Sequence, residues 1–135
     1  MTREILFRGK RKDTGKWIEG YFFKIWDRTF ILWGMTNGIP DMVEVIPETV
    51  SQFTSLTDIR KKKIFDGDIV AKGFELYEVR WNPEQVRWGI YSDNYEVAGF
   101  TKFSESYFEV IGNIYDNKEL LNGKDKGWIW SAREL

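Results

Sequence analysis

Short runs of β-branched and aromatic residues, separated by turn-forming residues, recur along most of this sequence. The first two runs are residues 4–10 and 17–26, and Asp13-Thr14-Gly15 between them offers a glycine where a hairpin loop needs a positive φ angle. Nowhere does a helical period persist for the dozen or so residues that an independent helix requires. The pattern therefore predicts a chain that is all-β or close to it.

The second run alternates in a way that leaves both of its faces largely apolar. One face would carry Trp17, Glu19, Tyr21, Phe23 and Ile25, and the other Ile18, Gly20, Phe22, Lys24 and Trp26. We expect a strand of this kind to be buried on both sides or to lie in an oligomer interface.

The rest of the chain predicts six further strands and little helix. The strands are predicted at residues 29–33, 42–46, 64–70 with a bend at Gly67, 74–81, 86–91 and 107–115. Thr49 and Gln52 have the spacing of a cap for a single helical turn, and residues 117–121 predict another turn. Residues 34–41 are predicted as a loop, and residues 53–63, with few apolar side chains, as an exposed connection between two halves.

The sequence contains neither histidine nor cysteine. The missing cysteine excludes disulfides, thiolate metal sites and cysteine nucleophiles, and the missing histidine excludes Ser-His-Asp triads and Cys/His zinc sites. An enzyme would have to use carboxylates, lysine, arginine or tyrosine. We therefore expect no catalytic residue, no cofactor and no metal, and a role in binding instead of catalysis.

Asp66-Gly67-Asp68 is the most enzyme-like string in the chain. Two carboxylates beside a glycine could hold a hard cation through oxygen ligands, but a calcium loop needs several more oxygens at fixed spacing. We therefore interpret this string as a structural bend within a strand.

Two basic clusters stand out although the net charge is −1. The first comprises Arg8, Lys10, Arg11, Lys12 and Lys16 beside Trp17, and the second comprises Arg60, Lys61, Lys62 and Lys63. They could contact phosphates while the indole stacks on a base. A solvated hairpin tip and a solvated linker explain the same residues, and no nucleic-acid motif accompanies them.

The aromatic share of 17% is high for so small a chain. It indicates either a core built from large β-forming side chains or a surface reserved for a partner. The beginning of the sequence has no apolar run of signal-peptide length, and no window reaches the roughly 18 apolar residues of a membrane span. We expect a cytoplasmic protein that does not act on membranes.

Four motifs, in this order, make the sequence resemble the YopX family of phage and prophage proteins over about residues 3–121. They are residues 5–10 with 13–17, Ile46-Pro47-Glu48-Thr49-Val50-Ser51-Gln52-Phe53-Thr54, Ile64-Phe65-Asp66-Gly67-Asp68-Ile69-Val70, and Val110-Ile111-Gly112-Asn113-Ile114-Tyr115-Asp116-Asn117. The family members often carry glycine on either side of Gln52-Phe53-Thr54, where this chain has Ser51 and Ser55. They also often have glycine in the loop before Ile64, where this chain has residues 59–63.

The resemblance implies a bacterial phage or prophage setting and no particular activity. It also implies that the C-terminal half is similar to SH3-type barrels and is entered through Gly67, Asp68, Ile69 and Val70. Gly112 and Asn113 belong to the last structural motif, which we interpret as a strand end followed by a turn.

We therefore predict a mainly β fold in one compact unit. Residues 1–58 would form an N-terminal β-hairpin layer, residues 59–121 an SH3-like, partly open barrel with one short helical turn near its end, and residues 122–135 a C-terminal tail. The predicted function is a phage or prophage binding or assembly module that contacts a protein partner, including a second copy, through exposed aromatic residues. The alternative is a nucleic-acid-binding accessory protein that uses the two basic clusters.

Overall fold

The computed structural model describes residues 3–122 of the chain. Within them lie eleven β-strands and three short 3₁₀ turns, so the predicted mainly β fold is confirmed. Contacts divide the chain into two units with the boundary between Ser55 and Leu56. The predicted domain boundaries and the single compact unit stay predictions. The predicted tail from residue 123, with its Trp128-Ile129-Trp130 sequence, lies outside the described residues.

The first unit is an antiparallel sheet with the strand order β4-β3-β2-β1-β5. Its elements are β1 (Phe7–Lys10), β2 (Trp17–Ile25), β3 (Arg28–Thr36), β4 (Ile39–Glu44), the 3₁₀ turn η1 (Pro47–Thr49) and β5 (Ser51–Thr57), within which the chain enters the second unit. Strand β4 is the edge of this sheet and contains Pro40 opposite Met35.

Tight turns set the register of the first unit. The predicted first hairpin is present, with Lys10 opposite Trp17 and Gly15 at a φ angle of +73°. The predicted loop over residues 34–41 is wrong, because β3 stays paired with β4 up to a two-residue turn at Asn37 and Gly38. Both turn residues have left-handed φ angles, 52° and 77°, which is the geometry that the Asn-Gly pair favours in hairpins.

The residues after β4 differ from prediction in two ways. Thr49 ends the turn η1 and does not begin it, since Ile46 is the N-cap and the Thr49 hydroxyl donates to the Ile46 carbonyl at 2.6 Å. The predicted exposed connection from residue 53 is wrong as well. Phe53 and Thr54 are buried in β5, and Asp58 just beyond it is only 1% exposed. Serine and threonine fit a strand that is covered on one face, so a low apolar content did not indicate exposure.

The second unit contains a five-stranded antiparallel sheet with the order β10-β9-β8-β7-β11. Its elements are β6 (Lys63–Phe65), β7 (Asp68–Lys72), β8 (Glu75–Asn82), β9 (Arg87–Ser92), β10 (Tyr95–Gly99), the 3₁₀ turn η2 (Lys102–Ser106), β11 (Glu109–Asn113) and the 3₁₀ turn η3 (Lys118–Leu121). The two end strands of the sheet do not pair, which confirms the predicted partly open barrel. Turn η3 confirms the predicted helical turn, whereas β10 and η2 were not predicted.

The larger of the two core clusters of the second unit lies on one face of this sheet, and Ala71 and Leu76 form a smaller cluster. The buried side chains of the larger cluster are Ile64, Val70, Val79, Ile90, Phe100 and Phe108. Fully burying one such side chain stabilises a fold by about 1.5–3 kcal/mol. Phe100 and Phe108 meet edge to face with their ring centroids 5.4 Å apart. These contacts connect β6, β7, β8 and β9 with the chain around η2.

Candidate functional site

The first basic cluster is organised around the ring of Trp17. The side chains of Arg8 and Lys10, two positions apart, lie on the same face of β1. In the register of β1 and β2, Glu19 is opposite Arg8 and Trp17 is opposite Lys10. The Arg8 guanidinium carbon lies 4.5 Å from the Trp17 ring centroid, and the Lys10 Nζ lies 5.5 Å from it. Arg8 is itself buried. The indole therefore already has cations of its own chain as neighbours, which reduces the surface left for stacking on a base.

Acidic side chains neutralise the next two members of this cluster. Arg11 binds Asp13 through two hydrogen bonds of 3.0 and 2.9 Å, and Lys12 Nζ lies 3.1 Å from Glu44. The hydrogen bond from Arg11 lowers the pKa of Asp13, and hydrogen bonds from Arg28 and then Lys12 lower the pKa of Glu44. A nucleic-acid phosphate would have to compete with these carboxylates for both cations.

The last member of the first cluster, Lys16, is exposed. Its backbone N–H donates to the Thr14 hydroxyl at 3.2 Å within the hairpin turn. The contact carries no charge, so it fixes the backbone of the turn and leaves the lysine ammonium group facing solvent.

The second basic cluster is built around the buried carboxylate of Asp58. Its Oδ1 accepts hydrogen bonds from the backbone N–H groups of Arg60 and Lys62 at 2.8 and 2.9 Å. Its Oδ2 accepts one from the Val110 N–H at 2.9 Å. Burial by itself would raise the pKa of Asp58, but these three donors outweigh it and the pKa is lowered. The carboxylate thus holds this loop onto β11.

The basic side chains of this loop differ in their surroundings. The Arg60 Nε lies 2.7 Å from a carboxylate oxygen of Glu109, while Lys61 and Lys62 are exposed. Lys63 is half-buried at the start of β6. The two basic clusters belong to different units of the chain. The nucleic-acid contacts predicted for both clusters stay predictions.

The predicted structural motif shapes the second unit at the bend between β6 and β7. Gly67 has a φ angle of +86°, and a Cβ atom there would lie only 3.2 Å from the Tyr115 ring and 3.3 Å from Ile114. The carboxylate of Asp68, 1% exposed, accepts a hydrogen bond from the Phe65 N–H at 2.8 Å. Asp68 therefore closes the bend. Within residues 3–122 no group of three or more metal-ligating side chains comes together.

The end of β11 completes this motif. Gly112 and Asn113 pair with Ile69 and Asp68 of β7. The side-chain oxygen of Asn113 accepts hydrogen bonds from the N–H groups of Tyr115 and Asp116, both at 2.9 Å. Asn113 is thus the first residue of the turn that follows β11, in the position that the sequence predicts.

Large apolar residues are also exposed on both faces of β2, β3 and β4 and at their turns, and we name this set of residues the β2–β4 apolar surface. Its members are 38% to 93% exposed: Tyr21, Phe22, Ile25, Trp26, Trp33, Met35, Ile39 and Met42. Tyr21 and Ile25 lie on one face of β2 and Phe22 on the other. The prediction that β2 is buried on both sides is therefore wrong for the described residues. The other alternative, an interface strand, stays a prediction.

Trp26 is the most exposed member of this surface. It lies in the two-residue turn between Ile25 and Arg28, is 93% exposed, and has a φ angle of 55°. A left-handed backbone is uncommon for a bulky residue and costs about 1–2 kcal/mol. The chain therefore holds an indole in solvent at a position where glycine would be more stable.

Comparison with known proteins identifies the family. The YopX protein family matches residues 6–122, which is most of the chain. The chain belongs to the YopX family. The crystal structure of protein EF1440 from Enterococcus faecalis is similar to this YopX chain with a TM-score of 0.58 and 19% identity, over 89% of this chain and 99% of that one. At this identity the likeness shows a shared fold alone. No curated protein matches the sequence.

Two features of this YopX chain were not predicted from its sequence. One is the carboxylate of Asp58, whose hydrogen-bond donors include a residue 52 positions away. The other is the strained turn at Trp26, because only the position of the strand ends reveals which residue needs a positive φ angle. In the described part of the chain, no helix has the length and apolar character of a membrane span.

Proposed function

We propose that this YopX chain is a non-enzymatic binding or assembly module of phage or prophage origin that acts in the cytoplasm of its bacterial host. Its β2–β4 apolar surface engages a protein partner, and a second copy of the chain is the first candidate. The observation that carries this proposal is Trp26, an almost fully exposed indole in a left-handed turn. Backbone strain of this kind is concentrated at functional sites in proteins, and at Trp26 it presents a large aromatic side chain to solvent.

The chemistry of the surface fits a protein partner. Tryptophan and tyrosine are enriched among the residues that contribute most to protein–protein affinity. Among the charges beside this surface, Arg28 lies 2.9 Å from Glu44 and stacks over the Phe30 ring at 5.1 Å. A paired guanidinium suits the rim of a protein interface better than a phosphate site.

The test compares two glycine substitutions in the full chain. Trp26→Gly removes the indole and relieves the left-handed strain, so the variant should be at least as stable as the original chain but lose association. Val86→Gly is the matched control, because Val86 is also exposed, at 69%, with the same φ angle of 55° in a turn of the second unit. Mass in solution and capture of partners from host extracts are measured with both variants.

The proposal expects a mass above that of a monomer, or capture of a defined protein, for the original chain and the Val86→Gly variant but not for Trp26→Gly. Nuclease treatment should leave the captured protein in place. A strictly monomeric chain without a captured partner, or equal association by all three proteins, would overturn the proposal.

A nucleic-acid-binding accessory role remains the alternative hypothesis. Exposed Lys16, Lys61 and Lys62 support it. The neighbours of Trp17, Arg11 and Lys12 described above count against it, because binding would have to displace contacts within the chain.

A further inference from the structure

The second unit contains an open cavity of about 690 Å³ on one face of its five-stranded sheet. Leu76, Glu78 and Arg80 of β8 line it, and they alternate with Val79, whose side chain belongs to the larger core cluster on the other face. The volume falls in the range of sites that hold small ligands. None of the functions proposed above uses this cavity.

Strand β8 gives the cavity its length. At one end, Leu76 belongs to the smaller core cluster, against which Leu121 of η3 packs. At the other end, the Arg80 guanidinium donates a hydrogen bond to the carbonyl oxygen of Asp93 in the β9–β10 turn. A strand rises about 3.3 Å per residue, so the four steps from Leu76 to Arg80 span about 13 Å. A long, narrow ligand therefore fits this cavity better than a compact one.

A carboxylate lies in the lining at each of these ends. Asp93 belongs to the β9–β10 turn and Glu119 to η3, and both residues are exposed. Within residues 3–122, neither carboxylate group forms a hydrogen bond or an ion pair. Each of them can therefore bind a cation without breaking a contact within the described part of the chain.

The other charges of the lining leave an excess of negative charge. Arg80 and Glu78 neutralise each other, since the Arg80 Nη2 lies 2.9 Å from the Glu78 carboxylate, and exposed Lys118 offsets one of the two carboxylates at the ends. Residues 64–122, which contain the whole lining, have five lysines and arginines against eleven aspartates and glutamates. An acidic field of this kind concentrates cations.

The cavity wall also carries apolar side chains, namely Leu76, Ile114 and Leu121. A metal ion would leave this apolar wall uncovered, and within residues 3–122 no group of three or more metal-ligating side chains comes together. Methylene groups between two cationic ends would instead lie against the wall and be removed from water.

We propose that the cavity binds a linear aliphatic polyamine, with one terminal ammonium group at Asp93 and the other at Glu119. The methylene groups between them lie against Leu76, Ile114 and Leu121. With bonds of about 1.5 Å, the terminal nitrogens of extended spermidine are about 11 Å apart, which suits the length of the cavity, whereas those of putrescine are only about 6 Å apart. Putrescine therefore engages one carboxylate at a time.

The test is an NMR titration of the full chain with spermidine at about 0.1 M sodium chloride, where unspecific attraction is partly screened. We expect saturable shifts of the backbone amides of Ser92, Asn94 and Ile114, and about fivefold weaker binding of putrescine. Magnesium chloride at the same concentration is the control for screening of charge alone, and it should cause much smaller shifts at these amides.

Two charge-removing substitutions test the ends of the cavity. Asp93→Asn and Glu119→Gln should each weaken spermidine binding about fivefold, and the double variant more than tenfold. Asp93 has a φ angle of 56°, and asparagine tolerates this left-handed backbone as aspartate does. Glu84→Gln is the matched control, because Glu84 is an exposed carboxylate of the same unit outside the cavity lining, and its affinity should be unchanged.

Trp26→Gly should bind spermidine as the original chain does, so this proposal and the one for the β2–β4 apolar surface can fail separately. Absence of saturable binding up to about 10 mM spermidine would overturn the proposal. Equal affinity for putrescine, equal shifts with magnesium, or unchanged binding by the double variant would also overturn it.

Discussion

The guanidinium carbon of Arg8 lies 4.5 Å from the centre of the Trp17 ring, on the same face of the β1–β2 hairpin. We expect this pair to stabilise the fold, because a cation that is partly removed from water gains about 1–2 kcal/mol over an aromatic ring. Arg8→Met, Trp17→Leu and the double variant, compared by urea denaturation, should give a coupling energy of about 1 kcal/mol.

The pair of exposed Arg28 and buried Phe30 provides the control for this experiment. Its cation is already bound to Glu44, so the corresponding cycle with Arg28→Met and Phe30→Leu should give a smaller coupling energy. Equal coupling in the two cycles would contradict the interpretation that Arg8 and Trp17 serve mainly the fold.

Ser55→Gly should stabilise the chain. Ser55 has a φ angle of 74°, and its buried hydroxyl has no hydrogen-bond partner among the described residues. Glycine relieves the left-handed strain and removes the buried hydroxyl, so we expect the free energy of unfolding to rise by about 0.5–1 kcal/mol. Thermal and urea denaturation measure the change.

Ser51→Gly is the matched control for that substitution. Ser51 is buried and its hydroxyl donates to the Thr49 carbonyl at 3.1 Å, so glycine should destabilise the chain there. A loss of stability with Ser55→Gly as large as that with Ser51→Gly would disprove the strain argument.

Asp58→Asn should destabilise the second unit in a pH-dependent way. Both carboxylate oxygens of Asp58 accept hydrogen bonds, whereas asparagine has only one side-chain oxygen that can accept them. We therefore expect the free energy of unfolding to fall by about 1–3 kcal/mol at pH 7. The pKa of Asp58 in the folded chain lies below its ordinary value of 3.8. The stabilisation by the ionised carboxylate is therefore complete above about pH 4 and is lost as the pH falls through the folded pKa.

Denaturation of the original chain and of the Asp58→Asn variant between pH 2 and pH 7 measures this effect. The difference between their free energies of unfolding should become smaller at acidic pH. Asp13→Asn, which removes an exposed partner of Arg11, should cause a smaller change at pH 7. A difference between the Asp58 variant and the original chain that stays constant over the whole pH range would contradict the role of the charge.

Gly67→Ala should destabilise the chain more than Gly73→Ala. Both glycines have left-handed φ angles, +86° and +61°, so alanine costs about 1 kcal/mol at either position. Only at Gly67 would the new methyl group also press on Tyr115 and Ile114, whereas Gly73 has open space around it. The unfolding free energies of the two variants are measured, and their difference gives the cost of the contact between the new methyl group and Tyr115 and Ile114. Equal losses of stability would show that the bend at Gly67 shifts to make room for the methyl group.

The nucleic-acid alternative predicts binding that weakens steeply as salt rises. Changing Arg8, Lys10, Arg11 and Lys12 together to alanine should then reduce the slope of affinity against salt, because fewer counterions are released. Binding to single- and double-stranded probes measures the slope. Circular dichroism checks that the variant is folded, since Arg8 is buried. Unchanged binding by a folded variant would reject this alternative.

Local chemistry allowed much of the fold to be predicted from sequence. Gly15 and Gly67 have the positive φ angles that their turns require, and the β8–β9 hairpin turns within residues 83–86 near the predicted position. The register of the first hairpin also follows from its turn, so the approach of Lys10 to Trp17 could have been predicted from it. That inference would have weakened the nucleic-acid interpretation at once.

Features that depend on distant parts of the chain could not be predicted in this way. A single aspartate before four basic residues has the pattern of a solvated loop, and only the position of β11 shows that Asp58 is buried beneath it. Likewise, the alternation of β2 is the same whether its apolar side chains meet a core or solvent. The layers that cover a strand are set by tertiary packing, which periodicity alone does not encode.

Pro40 has a consequence for how this protein behaves when it is crowded. It interrupts the edge strand β4 and has no N–H group to donate, so the edge offers a broken row of hydrogen-bonding groups to an incoming strand. Edge-to-edge addition of another strand is thereby discouraged at β4. The free protein can therefore keep these apolar side chains in solvent, as the proposed binding function requires, without offering a complete strand edge beside them.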